Sequence, residues 1–256
     1  MRRENLLSIL MVLAVSLAGC AHRRADPPEA SRWAAARQMV LVVSDDWNSD
    51  HGSLRTFDRI AAGEWQATGV PQPVTLGRAG SAWGLGLNDA RQDGPVKREG
   101  DGRSPAGVFG IGEAFGYAPV VATALPYASM QASHYCVDVS GSPLYNRIVD
   151  ADVVGAGAVR GATEPMRRDL HADGDQRYRL GFVIEHNRQQ APMGGSCIFA
   201  HLWKSPRDAT TGCTAMDPAT MTRLLGWLRP DRDPVFVLLP MDAYERLRAH
   251  WNLPRL

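Results

Sequence analysis

Glycine and proline divide the chain into short segments, and this division constrains the fold more than any other feature of the sequence. The 256 residues include 25 glycines and 17 prolines, which is typical of a protein with many turns. Between these breaks lie apolar and β-branched runs that predict short strands. They cover residues 38–43, 65–76 (a strand pair interrupted by Pro71 and Pro73), 134–139, 180–186, 196–203 and 234–239. The order predicts a mainly β domain with a few short helices.

Two helices are predicted near the end of the chain. Asp217 and Pro218 are residue types preferred at a helix N-cap and at the first helical position. The apolar residues that follow at helical spacing are Met221, Leu224, Leu225 and Leu228. This role explains Asp217 better than a catalytic one does. A short final helix is predicted over residues 242–251.

The first twenty residues have the pattern of an export signal. Arg2 and Arg3 precede an apolar run, residues 6–18, that is too short for a stable membrane-spanning helix. The run ends at Leu17-Ala18-Gly19-Cys20, which resembles the lipobox of bacterial lipoproteins. The resemblance implies a signal peptide over residues 1–19 and a lipid on Cys20 that anchors the protein in a membrane. An ordinary secretory peptide cut nearby is the alternative.

The residues after Cys20 predict where the protein is held. Ala21 stands where an Asp would signal retention in the inner membrane, so the resemblance favours the outer membrane, with the domain on the periplasmic face of the cell envelope. Residues 20–36 contain Pro27 and Pro28 and are predicted to form a flexible tether. Residues 37–256 are predicted to form one folded domain.

Charge and cysteine content exclude some functions. The formal net charge is +1 and the basic residues are scattered, so nucleic acid is not expected as a partner. The cysteines are Cys20, Cys136, Cys197 and Cys213, without a Cys-x-x-Cys pair that would suggest zinc. Cys136 and Cys197 either form a disulfide or are two buried free thiols, and Cys213 is left as a free thiol.

The strongest candidate for chemistry is the segment that runs from Ser196 to Asp217. A thiol nucleophile needs a nearby base, and His201 on a predicted strand precedes Cys213 by one loop. Gly212 allows close approach of the backbone to a substrate, and the amides of Gly212 and Cys213 are candidate donors to an oxyanion. Alternation along the strand places Cys197, Phe199 and His201 on one face, with Ile198, Ala200 and Leu202 on the other.

Together with three other motifs, this segment resembles the catalytic domain of the L,D-transpeptidases, the YkuD-type family. The family carries a His, a spacer and Ser/Thr-x-Gly-Cys, and its branch with Thr-x-Gly-Cys and an Ile-Phe-x-His strand is the most similar. The matching segments are Gly77–Gly80, Glu99–Gly107, Ile184–Asn187, Ile198–His201 and Thr210–Cys213. Thr211 and Ala215 depart from the better-known members, which have His at the first position and often Arg or Asn at the second.

The resemblance implies a β-sandwich fold and a peptidoglycan substrate. Cys213, with His201 as base and Gly212 beside it, attacks a stem peptide at a diamino acid and forms a thioester. An amine of a neighbouring stem then takes the acyl group. No metal or organic cofactor is implied, and carbapenems are expected to acylate the same cysteine.

The resemblance also places other residues near the substrate. Arg78, Thr210, Thr211 and His186 are expected to bind the stem peptide. A solvated surface position is the alternative for Arg78, and a buried structural role fits His186 equally well. Glu99, Asp101 and Arg103 either bind the charged stem or stabilise their own turn.

Two other kinds of function remain open from the sequence. An L,D-carboxypeptidase or endopeptidase has the same cysteine chemistry and differs only in the acceptor. A non-catalytic lipoprotein that binds peptidoglycan is the alternative outside enzymes, and the presence of both His201 and Cys213 argues against it.

Overall fold

The computed structural model describes residues 32–60, 63–88 and 93–256. The predicted signal peptide, residues 1–19, and the predicted lipidation site Cys20 lie outside the described residues. Residues 32–36, the described end of the predicted tether, contain a turn in which Trp33 and Ala36 are buried in the main core. The folded domain therefore begins a few residues before the predicted boundary at residue 37.

Short strands dominate the described part of the chain. The strands are β1 (Gln38–Ser44), β2 (His51–Arg59), β3 (Trp65–Ala67), β4 (Gln72–Thr75), β5 (Ser81–Trp83), β6 (Ser104–Gly116), β7 (Tyr127–Ser129), β8 (His134–Cys136), β9 (Ile148–Asp150), β10 (Glu164–Pro165), β11 (Leu180–Ile184), β12 (Phe199–Leu202), β13 (Thr214–Met216) and β14 (Val235–Pro240). The α-helices are α1 (Ala151–Val154), α2 (Arg168–His171), α3 (Pro218–Trp227) and α4 (Met241–Leu247). The prediction of a mainly β domain with a few short helices is confirmed.

Eight strands close into a barrel. In order of pairing they are β1, β14, β6, β11, β12, β13, β4 and β2, and β2 pairs again with β1. The β-sandwich implied by the resemblance is therefore not the arrangement found. The strand β1 accounts for the closure, because it pairs in parallel with β14 and antiparallel with β2. Both edges of β1 are therefore hydrogen-bonded to a neighbouring strand. This pairing is expected, because every residue of β1 is buried and an unpaired edge would leave backbone groups without partners.

The two C-terminal helices pack onto the barrel. Asp217 caps α3 as predicted, because its Oδ1 accepts hydrogen bonds from the amides of Ala219 at 2.9 Å and Thr220 at 3.0 Å. The helix α3 packs against β11 and β12, and α4 packs against β1 and β14. The helix α4 ends at Leu247 rather than at residue 251, where the sequence pattern predicted its end. No helix in the described residues is long and apolar enough to cross a membrane.

A long excursion leaves the barrel between β6 and β11. We call residues 117–179 the cap segment; it contains β7 to β10, α1 and α2, and β8 pairs with both β9 and β10. A disulfide joins Cys136 of β8 to Cys197, just before β12. Of the two alternatives left open by the sequence, the structure therefore has the disulfide, and Cys213 is a free, buried thiol.

The cap segment and the outer face of the barrel enclose a second, smaller core. Its buried residues are Phe115, Met130, Cys136, Met166, Tyr178, Cys197, Phe199 and Cys213. Ile198, Ala200 and Leu202 belong instead to the main core. The alternation predicted for the His201 strand is thus confirmed, and the predicted site lies between the barrel and the cap segment.

Candidate active site

Two parallel neighbouring strands bring Cys213 and His201 to the same face. In the register of β12 and β13, His201 lies opposite Ala215, and Ala200 lies opposite Thr214. Cys213 directly precedes β13, so it lies two residues along from the position opposite His201. Side chains two residues apart on a strand share a face. Both side chains therefore point away from the main core and toward the cap segment.

The backbone around Cys213 is held by two hydroxyl groups. The Oγ1 of Thr210 and the Oγ of Ser104 both donate to the carbonyl oxygen of Cys213, at 2.6 and 3.0 Å. The amide of Gly212 in turn donates to Thr210 Oγ1 at 3.1 Å. Gly212 has a φ of +152°, a conformation that residues with a side chain rarely adopt. Thr210 therefore shapes the turn that presents Cys213, and its hydroxyl faces the protein rather than a substrate.

These bonds change the predicted oxyanion site. The Gly212 amide, expected to be a donor to an oxyanion, is already bonded to Thr210. Among residues 32–60, 63–88 and 93–256, none accepts a hydrogen bond from the amide of Cys213. The Cys213 amide is thus the remaining backbone donor of the predicted pair.

The thiol of Cys213 is neutral at rest. Its Sγ accepts a hydrogen bond from the Phe199 amide at 3.3 Å, and the thiol donates to the Cys197 carbonyl oxygen at 3.5 Å. Burial, together with the nearby Glu164 carboxylate, raises the pKa of Cys213 to about 12. The nearby base therefore does not hold Cys213 as a thiolate in the resting state. The thiol must lose its proton during the reaction.

His201 is held in the form that can accept this proton. Its Nδ1 lies 2.8 Å from the carbonyl oxygen of Leu202, so Nδ1 carries the hydrogen and Nε2 is left as an acceptor. No described residue hydrogen-bonds to Nε2. Burial lowers the pKa of His201 to about 4, which keeps the imidazole neutral at physiological pH. The pair is arranged as a neutral thiol and a neutral base.

A cavity of about 260 Å³ opens beside Cys213. Four of the predicted site residues line it: Arg78, Thr211, Gly212 and Cys213. Glu99, Glu164 and Lys97 also line it, and each of these charges has a partner within the protein. Arg78 is exposed, and no described residue forms an ion pair or hydrogen bond with its guanidinium group. This cation is therefore available to an anionic group in the cavity.

His186 is not brought to this cavity. Its Nδ1 accepts a hydrogen bond from the Leu85 amide at 3.2 Å, and its Nε2 lies 2.9 Å from the carbonyl oxygen of Gly194. It lines a different depression, of about 350 Å³. Both ring nitrogens are thus engaged with the backbone, which is the structural role that the sequence left open.

The acidic turn before β6 is mostly stabilised from within. Asp101 pairs with Lys97 at 2.6 Å and accepts from the amides of Arg98 and Arg103. The guanidinium group of Arg103 donates to the carbonyl oxygens of Trp47 and Ser81. Of the three turn residues considered for substrate binding, only Glu99 lines the cavity, where Ser196 Oγ donates to its Oε2 at 2.7 Å.

The structure adds two residues that the sequence did not indicate. Tyr178 is buried beside the candidate base, with its ring 5.2 Å from that of His201. Its hydroxyl group donates to Oε1 of Glu164 at 2.8 Å, and Glu164 lines the cavity. Both residues belong to the cap segment. No motif or spacing in the sequence links them to Cys213.

Comparison of the chain with models of protein families, with curated proteins and with solved structures found no match. No group of three or more His, Cys, Asp or Glu side chains in the described residues is placed to hold a metal ion.

Proposed function

We propose that this protein is a peptidoglycan L,D-transpeptidase, a cysteine acyltransferase whose nucleophile is Cys213. The observation that carries the proposal is the placement of a free thiol that lines a cavity and, on the same face of the neighbouring parallel strand, an imidazole with an open Nε2. A nucleophile and a neutral base in this relation are what acyl transfer requires. The motifs that resemble the L,D-transpeptidase family supply the substrate class, and the proposal includes membership of that family.

The first half of the proposed reaction forms a thioester. The Sγ of Cys213 attacks the carbonyl carbon of the diamino acid in a stem peptide as its proton passes to Nε2 of His201. The amide of Cys213 donates to the oxyanion that develops on the carbonyl oxygen. His201 then gives the proton to the leaving nitrogen, and the terminal D-alanine departs as the carbon–nitrogen bond breaks. The acyl group remains on Sγ.

The second half returns the enzyme to its resting state. The amine of a neighbouring stem peptide attacks the thioester carbonyl and loses a proton to Nε2 of His201. The carbon–sulfur bond breaks, and Sγ takes the proton back from His201. The product is a crosslink between two diamino acids.

Arg78 is proposed to bind a carboxylate of the donor stem. Its unpaired guanidinium group lies in the wall of the Cys213 cavity, and guanidinium groups form strong, often bidentate hydrogen bonds to carboxylates. The terminal carboxylate of the leaving D-alanine is the substrate group nearest the bond that breaks. Thr211, exposed on the same cavity, completes the proposed substrate contacts.

The proposed location is the periplasmic face of a membrane, through a lipid on Cys20. The Cys136–Cys197 disulfide supports an oxidising compartment. Labelling of cells with radioactive palmitate tests the anchor: the wild-type protein should take up the label and Cys20→Ala should not. Label on the Cys20→Ala protein would show that the lipid is attached elsewhere.

Product analysis tests the reaction itself. Purified protein is incubated with disaccharide tetrapeptides, and the products are identified by mass spectrometry, with Cys213→Ser as the matched control. Crosslinked dimers formed only by the wild type are expected. Tripeptide without dimer would indicate an L,D-carboxypeptidase, and cleavage of preformed crosslinks would indicate an endopeptidase. Binding without any product would indicate a non-catalytic peptidoglycan-binding lipoprotein.

A further inference from the structure

Tyr178 occupies the centre of the second core but has no part in the reaction described above. It is 4% exposed, and its ring packs edge-on against His201 at 5.2 Å and against Phe199 at 5.5 Å. Phe199 is the residue whose amide donates to Sγ of Cys213. Tyr178 therefore packs against His201 and against the residue whose amide bonds to Cys213. A phenylalanine would fill most of the same volume, so the hydroxyl group calls for an explanation.

A chain of charged groups in the cap segment holds the hydroxyl group in place. It donates to Oε1 of Glu164 at 2.8 Å, and the same oxygen accepts from Arg168 at 3.0 Å. Arg168 also pairs with Asp175 at 2.9 Å, and Arg177 pairs with Asp175 at 2.6 Å. Burial raises the pKa of Tyr178 well above its ordinary value, so the hydroxyl keeps its proton.

The reaction creates a negative charge that few groups are placed to stabilise. The thiol is buried and His201 is neutral at rest, so no cation stands ready for the thiolate until His201 has taken the proton. The Glu164 carboxylate opposes this charge and raises the pKa of Cys213, whereas the Phe199 amide, the Tyr178 hydroxyl group and, more weakly, Arg177 lower it. Tyr178 is buried in the same cluster as Cys213, and its hydroxyl is the side-chain donor in that cluster that lowers the pKa of the thiol.

We propose that Tyr178 stabilises the Cys213 thiolate during attack, and that Glu164 holds the tyrosine hydroxyl ready between turnovers. As the thiol proton passes to Nε2 of His201, the O–H group of Tyr178 turns from Glu164 to Sγ. Glu164 keeps its bond from Arg168 at that moment, so its charge stays paired. The inference rests on the proposed function only in taking Cys213 as the nucleophile.

Alkylation of Cys213 by iodoacetamide tests the inference without any peptide substrate. The rate is followed against pH in the full-length protein, because only the thiolate reacts, and peptide mapping separates Cys213 from Cys20. Tyr178→Phe should slow alkylation about tenfold below the thiol pKa, which corresponds to a rise of about one pKa unit. Glu164→Gln should speed it, because the opposing charge is removed while an oxygen that accepts from Tyr178 is kept.

Tyr117→Phe is the matched control. The hydroxyl of Tyr117 donates to the Asp175 carbonyl oxygen at 3.2 Å, in the same network but away from Cys213. This variant should leave the alkylation profile unchanged. Crosslinking by Tyr178→Phe should fall mainly in kcat, because the bond is made as the charge develops.

Three results would overturn the inference. An unchanged alkylation rate in a folded Tyr178→Phe protein would show that Tyr178 only packs beside the site. Shifts in the same direction for Tyr178→Phe and Glu164→Gln would indicate general loosening of the cap segment. If Tyr178→Phe fails to fold, slower alkylation of Glu164→Gln would overturn it. If the alkylation rates of Tyr178→Phe and Glu164→Gln change in opposite directions but the wild type forms no crosslinks, the inference is supported and the proposed substrate is wrong.

Discussion

The two buried histidines next to the cap segment, His186 and His201, are alike in burial and differ in how many of their ring nitrogens are hydrogen-bonded. His186 follows β11 and His201 lies on β12, the strand paired with it. Burial lowers the pKa of each to about 4. At the end of β11, both nitrogens of His186 are engaged with the backbone. On β12, only Nδ1 of His201 is engaged, and the free thiol of Cys213 lies directly before β13, the neighbouring strand.

This difference shows which observations bear on function. A lowered pKa follows from burial alone, so it does not separate a catalytic histidine from a structural one. An open ring nitrogen on the same face as a free thiol does separate them. Substitutions at Cys213 and His201 should therefore affect catalysis, whereas substitution of His186 should affect stability.

The largest effect is expected from Cys213→Ser. The change is nearly isosteric, but an alcohol is a far weaker nucleophile than a thiol in front of the same base. Crosslinking should fall by at least about a thousandfold, with little change in melting temperature. Turnover by the folded serine variant at the wild-type rate would show that Cys213 is not the nucleophile.

The same substitution at the two histidines sharpens the comparison. His201→Gln should slow thioester formation by about a hundredfold or more, because a positioned base is lost. His186→Gln should leave the rate per folded molecule nearly unchanged and lower the free energy of unfolding by about 1–3 kcal/mol, because buried hydrogen bonds are lost. Single-turnover kinetics and urea unfolding measure the two effects. If His186→Gln proved as inactive as His201→Gln while remaining folded, the distinction would be lost.

Acid should destabilise the protein through both histidines alike. In the unfolded chain each titrates near 6.5, whereas in the folded protein each has a pKa of about 4. Their contribution to stability is therefore fully present above pH 6.5 and is lost as the pH falls toward 4, since the unfolded state then binds more protons. Urea unfolding measures the free energy of unfolding at pH 7 and at pH 4.5. The decrease between the two pH values should be smaller in either His→Gln variant than in the wild type, by on the order of 1 kcal/mol or more. An equal decrease in the wild type and both variants would contradict burial as the cause.

A smaller effect is expected from Arg78→Ala. Loss of its bond to the donor carboxylate should raise KM about tenfold, as for a hydrogen bond between charged groups at a partly exposed site. A donor whose terminal carboxylate is amidated serves as the control. It should be a poor substrate of the wild type, and Arg78→Ala should make it no poorer. An equal loss with both donors would mean that Arg78 does not bind this carboxylate.

The sequence predicted the parts of the fold that depend on local pattern. The apolar runs of β1, β11 and β14 and the cap of α3 were found because alternation, β-branching and N-cap chemistry act over a few residues. The strand β2 was missed because its sequence, HGSLRTFDR, carries polar and charged residues. Closure of the barrel was also missed, since it depends on pairing between β1 and β14, which are nearly 200 residues apart.

The candidate site was predictable to the extent that it lies on one stretch of chain. His201, Gly212 and Cys213 are close in sequence, and their residue types and spacing indicated the chemistry. Tyr178 and Glu164 reach the site from the cap segment, so only the folded structure brings them to Cys213. The disulfide could not be decided from four cysteines, because pairing depends on how β8 packs beside β12.

The central claim, that Cys213 is acylated with His201 as its base, is tested most directly by the intact mass of the protein after incubation with a carbapenem. A nucleophile that forms a thioester with a stem peptide should also open the strained lactam ring. The account predicts an adduct of one inhibitor on the wild type, none on Cys213→Ser, and acylation slowed about a hundredfold or more in His201→Ala. An adduct that persists on Cys213→Ser, or acylation of His201→Ala at the wild-type rate, would contradict it.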